Sequence, residues 1–517
     1  MDSSSSLLWG LGANPALPSE LVDRLISVAD DVLSSVLAHR PDLSSAQALT
    51  LARRVEWAEV SLAYEGGLTA ADIDPAEWPY AALALLDQEA APASWARLLV
   101  ADPDPERREK LAGCPGLPAD VTERLAADPV LDVVVELALC GPAEWAARLA
   151  VHPHTSVRHA VANNETAPPA VLAALLTDEG LPPVRHCRAC DPEDPPSPGA
   201  ADAFSDRFLG FGRDLPAAHG GSCDGSHASA VHSLREAVLR NPATPAEAAA
   251  RFAWDGSWDL RLAMAERVDL PGEACARLAG DPDSRIRAAL AENPALDAAL
   301  ARRLAGDPAA KVRRALAHNP RVPLDVLVSL ARTDRIAGAL LPRVATASAA
   351  ETEALVSSAD PAARALVAQR RDLPPEARDR LARDADAKVV AAVAPHPGLS
   401  EDMLRAMLGR HGVQVLAGVA ANPDATPAVL EEVVRHEPGA RKALYEVARH
   451  HAATPAALLV CLEDSRARPL AAAHPALPPA VIVGLVVDEG EAGDVREAAA
   501  AHPSLPVAVM ADLLREL

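Results

Sequence analysis

The sequence predicts an all-α, right-handed helical-repeat solenoid of short helix pairs, about 26 residues per repeat, and three observations predict it. First, the stretch Asp281–Pro294 coincides with Asp307–Pro320 at most positions when shifted by 26 residues. Second, Asn-Pro or His-Pro corners place prolines at 242, 294, 320, 397, 423, 475 and 503. Degenerate corners lie near Val268, Thr346, Arg371 and His451, and Pro115, Gly141 and Asn164 continue the register more loosely upstream. Third, half of the 517 residues are hydrophobic, yet only 7 Trp, 4 Phe and 3 Tyr occur. Ala, Leu and Val must therefore fill the core, and small side chains let short helices approach closely.

Each repeat reads as two helices. The first opens at Asp-Pro, as at Asp281-Pro282: the carboxylate can accept from orphan amides at an N-cap, and proline suits the first helical position. Ile286, Ala289 and Leu290 then share one face at helical spacing. Asn293-Pro294 stops that helix, because proline restricts the residue before it. Leu296, Leu300 and Leu304 form the apolar stripe of the second helix. Neither helix is long enough to be stable alone, so stacking on neighbours must supply the stability.

These residues resemble the leucine-rich repeat variant family, whose repeats stack as paired short helices. The match is carried by Leu278-Ala279-Gly280-Asp281-Pro282, Ile286-Arg287 and Ala291-Glu292-Asn293-Pro294, and by the equivalent Leu304 to Pro308, Val312-Arg313 and Ala317 to Pro320. It covers most of 233–517 and, more weakly, 96–178. The resemblance implies the fold and a scaffold role, and it implies little about chemistry. Residues 1–95 are helical but out of register, with an amphipathic stripe at Leu21, Leu25, Val28 and Val32 and another over 44–64, and are expected to form an N-terminal helical cap. The domain order is thus cap (1–95), degenerate repeats (96–178), insertion (179–232) and repeat array (233–517).

The insertion carries the chemistry. The helical register disappears there, and three of the seven cysteines cluster in it. Cys187-x2-Cys190 lets two thiolates chelate one ion from a tight turn, and Cys223-x3-His227 can bring a third thiolate and an imidazole to the same ion. Three cysteines and one histidine make a closed set suited to tetrahedral zinc, so Cys187, Cys190, Cys223 and His227 are the expected metal ligands. The 32 residues between the pairs are no obstacle, because loop-closure cost grows slowly with length. His186, His219 and His232 are spare candidates. Residues 223–227 also spell the motif of the CDGSH iron–sulfur domains, which they resemble in ligand count but not in spacing. That resemblance implies the alternative cofactor, a [2Fe–2S] cluster on the same four residues.

Other polar patterns read structurally. Cys114 and Cys140 are placed at the Asn position of successive corners, and Cys275 and Cys461 in the core. Arg158, Arg261, Arg287, Arg313 and Arg496 recur after the apolar residue of the first helix; they either line an anion groove or pair with Asp-Pro carboxylates, and the acidic total favours pairing. Asn241, Asn293, Asn319 and Asn422 are expected to bond backbone at turns. No phosphate loop, nucleophile elbow or HExxH pair occurs, so no enzymatic activity is expected. The net charge of −23 disfavours nucleic acid and anionic membranes, and no apolar run reaches spanning length. The expectation is a cytoplasmic scaffold that binds a protein or peptide partner.

Overall fold

A computed structural model describes residues 3–516, apart from 56, 191–222, 335, 337, 437, 438 and 489. Among the described residues there are 35 α-helices and no strand. The longest helix, Ala228–Arg240, has 13 residues, so each depends on its neighbours for stability. No helix among them is long and apolar enough to cross a membrane. The chain divides into two compact units, 68–321 and 1–67 with 322–517.

The repeat around Asn293 shows the local logic in the first unit. Helix Ser284–Glu292 buries Ile286, Leu290 and Ala291, and packs against the next first helix, Ala310–Ala317. Helix Ala298–Ala305 buries Ala301 and Leu304 behind it, with Leu300 half-buried. The predicted N-cap at Asp281 is displaced by two residues. Asp283 caps the helix by accepting from the Arg285 amide at 2.8 Å, while Asp281 turns inward, is 1 % exposed, and accepts from Arg261 of the preceding repeat. Where a second Asp-Pro follows directly, as at Asp104-Pro105, or where one stands alone, as at Asp360-Pro361, aspartate and proline do occupy the cap and first position.

Asparagine at the corner is the joint between repeats. The side-chain amide of Asn293 donates to the carbonyls of Ala265 at 2.7 Å and Arg267 at 2.6 Å, residues of the preceding repeat. Its Oδ1 accepts from the Ala295 amide at 2.8 Å and so shapes the turn into the second helix. Asn319 repeats the pattern on Ala291 and Asn293, and in the other unit Asn422 repeats it on Ala394 and His396. Two of the degenerate corners, and the His-Pro corner at His396, do the same work with other side chains. Arg267 donates to the carbonyls of Leu239 and Asn241, Arg370 to those of Val344 and Ala347, and His396 through Nε2 to Ala368.

Of the recurrent arginines, Arg261 and Arg287 form a second inter-repeat joint, as pairing required, whereas Arg496 donates to the Val486 carbonyl. Arg287 grips Asp307, twenty residues on, with Nε at 2.7 Å and Nη2 at 3.0 Å, and its Nη1 donates to the Asp281 carbonyl. Arg108–Asp128, Arg261–Asp281 and Arg364–Asp384 share that geometry. Planar two-point pairing suits guanidinium, and committing both groups to each other leaves no free cationic groove at these positions. Arg158 departs from the pattern: it is 1 % exposed and donates to the carbonyls of His152 and Pro182, because the chain leaves the repeat register just beyond it.

In the second unit, residues 1–67 stack on the last repeat. Helix Ser3–Ala13 packs against Gly493–Ala500, and the Asn14 amide donates to the carbonyls of Ala500 and His502 at 2.8 Å each. Arg40 continues the series on the carbonyls of Gly12 and Asn14. Glycine at position 10 is required by this approach, since a Cβ there would stand 2.3 Å from the Glu497 carbonyl oxygen. The predicted stripe of Leu21, Leu25, Val28 and Val32 is half right. The helix ends at Val28 and Asp30 caps a new one, so Val28 and Val32 are 50 % and 40 % exposed and the buried face is Leu21, Val22, Leu25 and Ile26.

Two outcomes follow from these joints. Asn293→Ala strands two buried carbonyls and should cost about 2–3 kcal/mol, whereas Asn293→His should cost under about 1 kcal/mol, read as local opening free energy of the 284–292 amides by hydrogen exchange. Gly10→Val should detach helix Ser3–Ala13 and deprotect the 493–500 amides at neutral pH, while leaving exchange within 68–321 unchanged.

Candidate metal centre

The insertion leaves and rejoins the stack at defined points. Helix Pro169–Thr177 ends at Asp178, which adopts left-handed backbone with φ of 62°. The chain then lies along the preceding repeat. The amides of Arg185 and His186 donate to the Pro153 carbonyl, and the Thr155 amide donates to the carbonyl of His186, the single parallel bridge among the described residues. Arg188 forms an ion pair with Asp132 on helix Leu131–Cys140. Stacking resumes at helix Ala228–Arg240, where Arg235 pairs with Asp178 at 2.7 Å. Asn241 then makes the usual rung on Ala162 and Asn164, across 77 residues of chain from Asn164 instead of 26.

The four expected ligands come together at this junction. The Sγ atoms of Cys187, Cys190 and Cys223 and a ring nitrogen of His227 all lie within 4.8 Å of one another. Cys187 and Cys190 Sγ are 3.5 Å apart, and His227 Nδ1 lies 3.5 Å from Cys223 Sγ and 3.7 Å from Cys190 Sγ. A tetrahedral ion with metal–sulfur bonds of about 2.3 Å would set its donors about 3.8 Å apart, so the residues present fit such an ion.

Local backbone aims each donor. In 187–190 a tight turn is closed by the Cys190 amide on the Cys187 carbonyl at 3.0 Å, and the Cys187 amide donates to Cys190 Sγ at 3.3 Å. In 223–227 the Gly225 amide donates to Cys223 Sγ at 3.4 Å from a glycine with φ of 85°. His227 itself is left-handed, φ 54°, a conformation that costs a non-glycine residue roughly 1–2 kcal/mol and that here turns the imidazole toward the thiols at the start of the helix. Burial pushes the Cys187 thiol up to about 11, while the amides of Gly225 and His227 hold Cys223 below its ordinary range. The set therefore combines one buried thiol, which needs a cation before it can ionise, with one thiol already primed for thiolate.

The other cysteines and spare histidines stand apart. Cys114 is a buried corner residue whose thiol is pushed up to about 12, mainly by burial. Cys140 precedes its corner by one residue and is exposed: Gly141 holds the corner position and offers its carbonyl to Asn164, so the expected pairing of Cys140 with that position is corrected. Cys275 and Cys461 are buried, as expected of core residues. His232 bonds Asp259 at 3.0 Å, and His186 serves through its backbone. His219 and the phenylalanines 204, 208 and 211 fall outside the described residues. Sequence reasoning missed Arg188, Asp132, Asp178 and Arg235, which brace the centre; only their chain distance hid them.

No family model matches the chain, and no curated protein matches it. A similar solved structure is that of an engineered protein from a structural genomics consortium, at 16 % identity over 82 % of this chain and 98 % of that chain, with a TM-score of 0.18.

Because Arg188 anchors the cysteine turn to the neighbouring repeat, Arg188→Ala should weaken metal binding about tenfold without abolishing it, as measured by competition with a chromophoric chelator.

Proposed function

We propose that this chain is a non-enzymatic helical-repeat scaffold for a protein or peptide partner, of the leucine-rich repeat variant kind, in which a zinc ion on Cys187, Cys190, Cys223 and His227 pins the one interruption of the stack. The observation that carries this reading is the convergence of four donors, two from each side of the interruption, on one ion-sized volume. A single ion accounts for it better than a [2Fe–2S] cluster, whose two irons would hold their ligand pairs at opposite ends. Zinc has no redox role to play there: its contribution is to hold two chain segments in register.

The scaffold half of the reading rests on the use of polar residues inside the stack. Corner Asn, Arg and His and the paired Arg and Asp are spent on joining repeats, which leaves outer helix faces as the surface available to a partner. A net charge of −23 supports a protein or peptide in preference to nucleic acid.

Metal analysis of anaerobically purified full-length protein tests the centre. Colourless protein with about one equivalent of zinc, lost in Cys223→Ser, is expected; visible absorption with iron and sulfide would assign the cluster instead. Crosslinking of the full chain in extracts should recover a reproducible protein partner, and its absence alongside gel shifts with nucleic acid would overturn the scaffold reading.

A further inference from the structure

The corners of the second unit differ from those of the first in one respect. Every histidine corner among the described residues lies in 322–517: His396, then an unbroken run of His450, His474 and His502. That run ends where the N-terminal helices dock, since Asn14 donates to the His502 carbonyl.

Hydrogen-bond partners settle the protonation state of these rings. His450 Nε2 faces the Asn422 carbonyl at 2.7 Å, His474 Nε2 the His450 carbonyl at 3.0 Å, and His502 Nε2 the His474 carbonyl at 3.0 Å. A carbonyl only accepts, so each Nε2 carries hydrogen. On the other side Nδ1 faces a backbone N–H: Ala452 at 3.1 Å, Ala476 at 3.1 Å and Ser504 at 3.0 Å. An amide only donates, so each Nδ1 must be bare. A second proton on any ring sets N–H against N–H at the turn. Asparagine makes the same two contacts through separate atoms and has no proton to gain.

We propose that His450, His474 and His502 form an acid-sensitive seam: as the pH falls, protonation of these rings breaks consecutive rungs and frees the last repeats from one another and from the N-terminal helices.

The groups around His450 disfavour its protonation while the stack is closed. Burial, with His451 and His474 nearby, lowers the affinity of His450 for a proton, while its bond to the Asn422 carbonyl opposes this. His451 stacks on His450 with ring centroids 4.6 Å apart. His396, faced by Arg371, Arg378 and Asp372, is driven down to about 4, chiefly by burial, and its Nδ1 accepts nothing because the Gly398 amide donates to Asp424. At the seam, burial and then Asp494 raise the carboxyl of Glu497, which favours the closed state in acid. That is one group acting against three rings. A ring kept neutral in the closed stack and released on opening binds its proton in the open state. For His450 the stability is therefore present above about pH 6.5 and lost below it, with open population rising up to about tenfold per pH unit.

The test compares wild-type full chain with His450→Asn/His474→Asn/His502→Asn by hydrogen exchange at pH 7.5, 6.5 and 5.5, corrected for intrinsic exchange. Asparagine already holds corners 14 and 422 of the same unit, so the variant should fold. In wild type, protection of the 443–514 and 3–40 amides should fall more than about tenfold between pH 7.5 and 5.5 while the 284–317 amides, joined by Asn293 and Asn319, stay within about threefold; in the variant both sets should stay within about threefold. An equal fall in both segments of wild type, or an unchanged pH profile in the variant, overturns the proposal. The wild-type comparison decides even if the variant is unstable.

Discussion

The fold depends on one contact made over and over: a side-chain donor at the end of a first helix, as at Asn293, Asn319 and Asn422, reaching carbonyls one repeat back. Short helices leave several carbonyls orphaned at their C-termini, and burying them between stacked repeats without partners would cost on the order of 1–3 kcal/mol each. Asn293 satisfies two such carbonyls and uses its remaining oxygen to start the next turn, so one side chain both ends a helix and joins two repeats. Hydrophobic burial of Ala, Leu and Val holds the layers together, but those side chains are too alike to define a register. The polar rung defines it.

The guanidinium joints add a second coordinate. Arg287 is tied to its own repeat through the Asp281 carbonyl and to the next through Asp307, so the two ends of one side chain measure the offset between neighbours. Asp307 is 8 % exposed and held below the usual carboxylate range, first by the Arg287 hydrogen bond, so removal of the arginine alone would leave a buried carboxylate without its partner. Such pairs specify more than they stabilise, and that matters in an array whose repeats would otherwise slip.

Much of this was legible in the sequence, and the failures have a common cause. The period, the corner asparagines, the pairing of Arg261 and Arg287 and the Cys-Cys and Cys-His pairs that come together follow from local spacing, because helical faces and chelating turns are local objects. Asp281 was misassigned because an Asp-Pro start looks the same whether the carboxylate caps its own helix or turns to an arginine twenty residues earlier. Val28 and Val32 were misplaced because a helix break at Asp30 leaves the hydrophobic spacing intact. Arg40 escaped notice because it lies outside the repeat register, and Arg267 shows only as a degenerate corner, yet what a rung needs is a donor of the right reach, which asparagine, arginine and histidine all supply. The docking of residues 1–67 on the last repeat is a contact between chain ends, and periodicity carries no information about it.

The interruption shows what a metal held at that place would do. At Asn293, Asn319 and Asn422 a repeat is followed at once by the neighbour whose corner completes it. Between Asn164 and Asn241 the chain instead travels through a long excursion, and closing a loop of about 33 residues between Cys190 and Cys223 costs roughly 3 kcal/mol of entropy. The Arg188–Asp132 and Arg235–Asp178 pairs, both partly exposed, return no more than about 1 kcal/mol each. A structural zinc ion on the four residues would supply on the order of 10 kcal/mol, enough to offset the closure and the left-handed strain at His227 together. An ion on these four ligands would work beside the Asn241 rung, which already joins the repeats across the interruption, by fixing where the chain leaves and rejoins the stack.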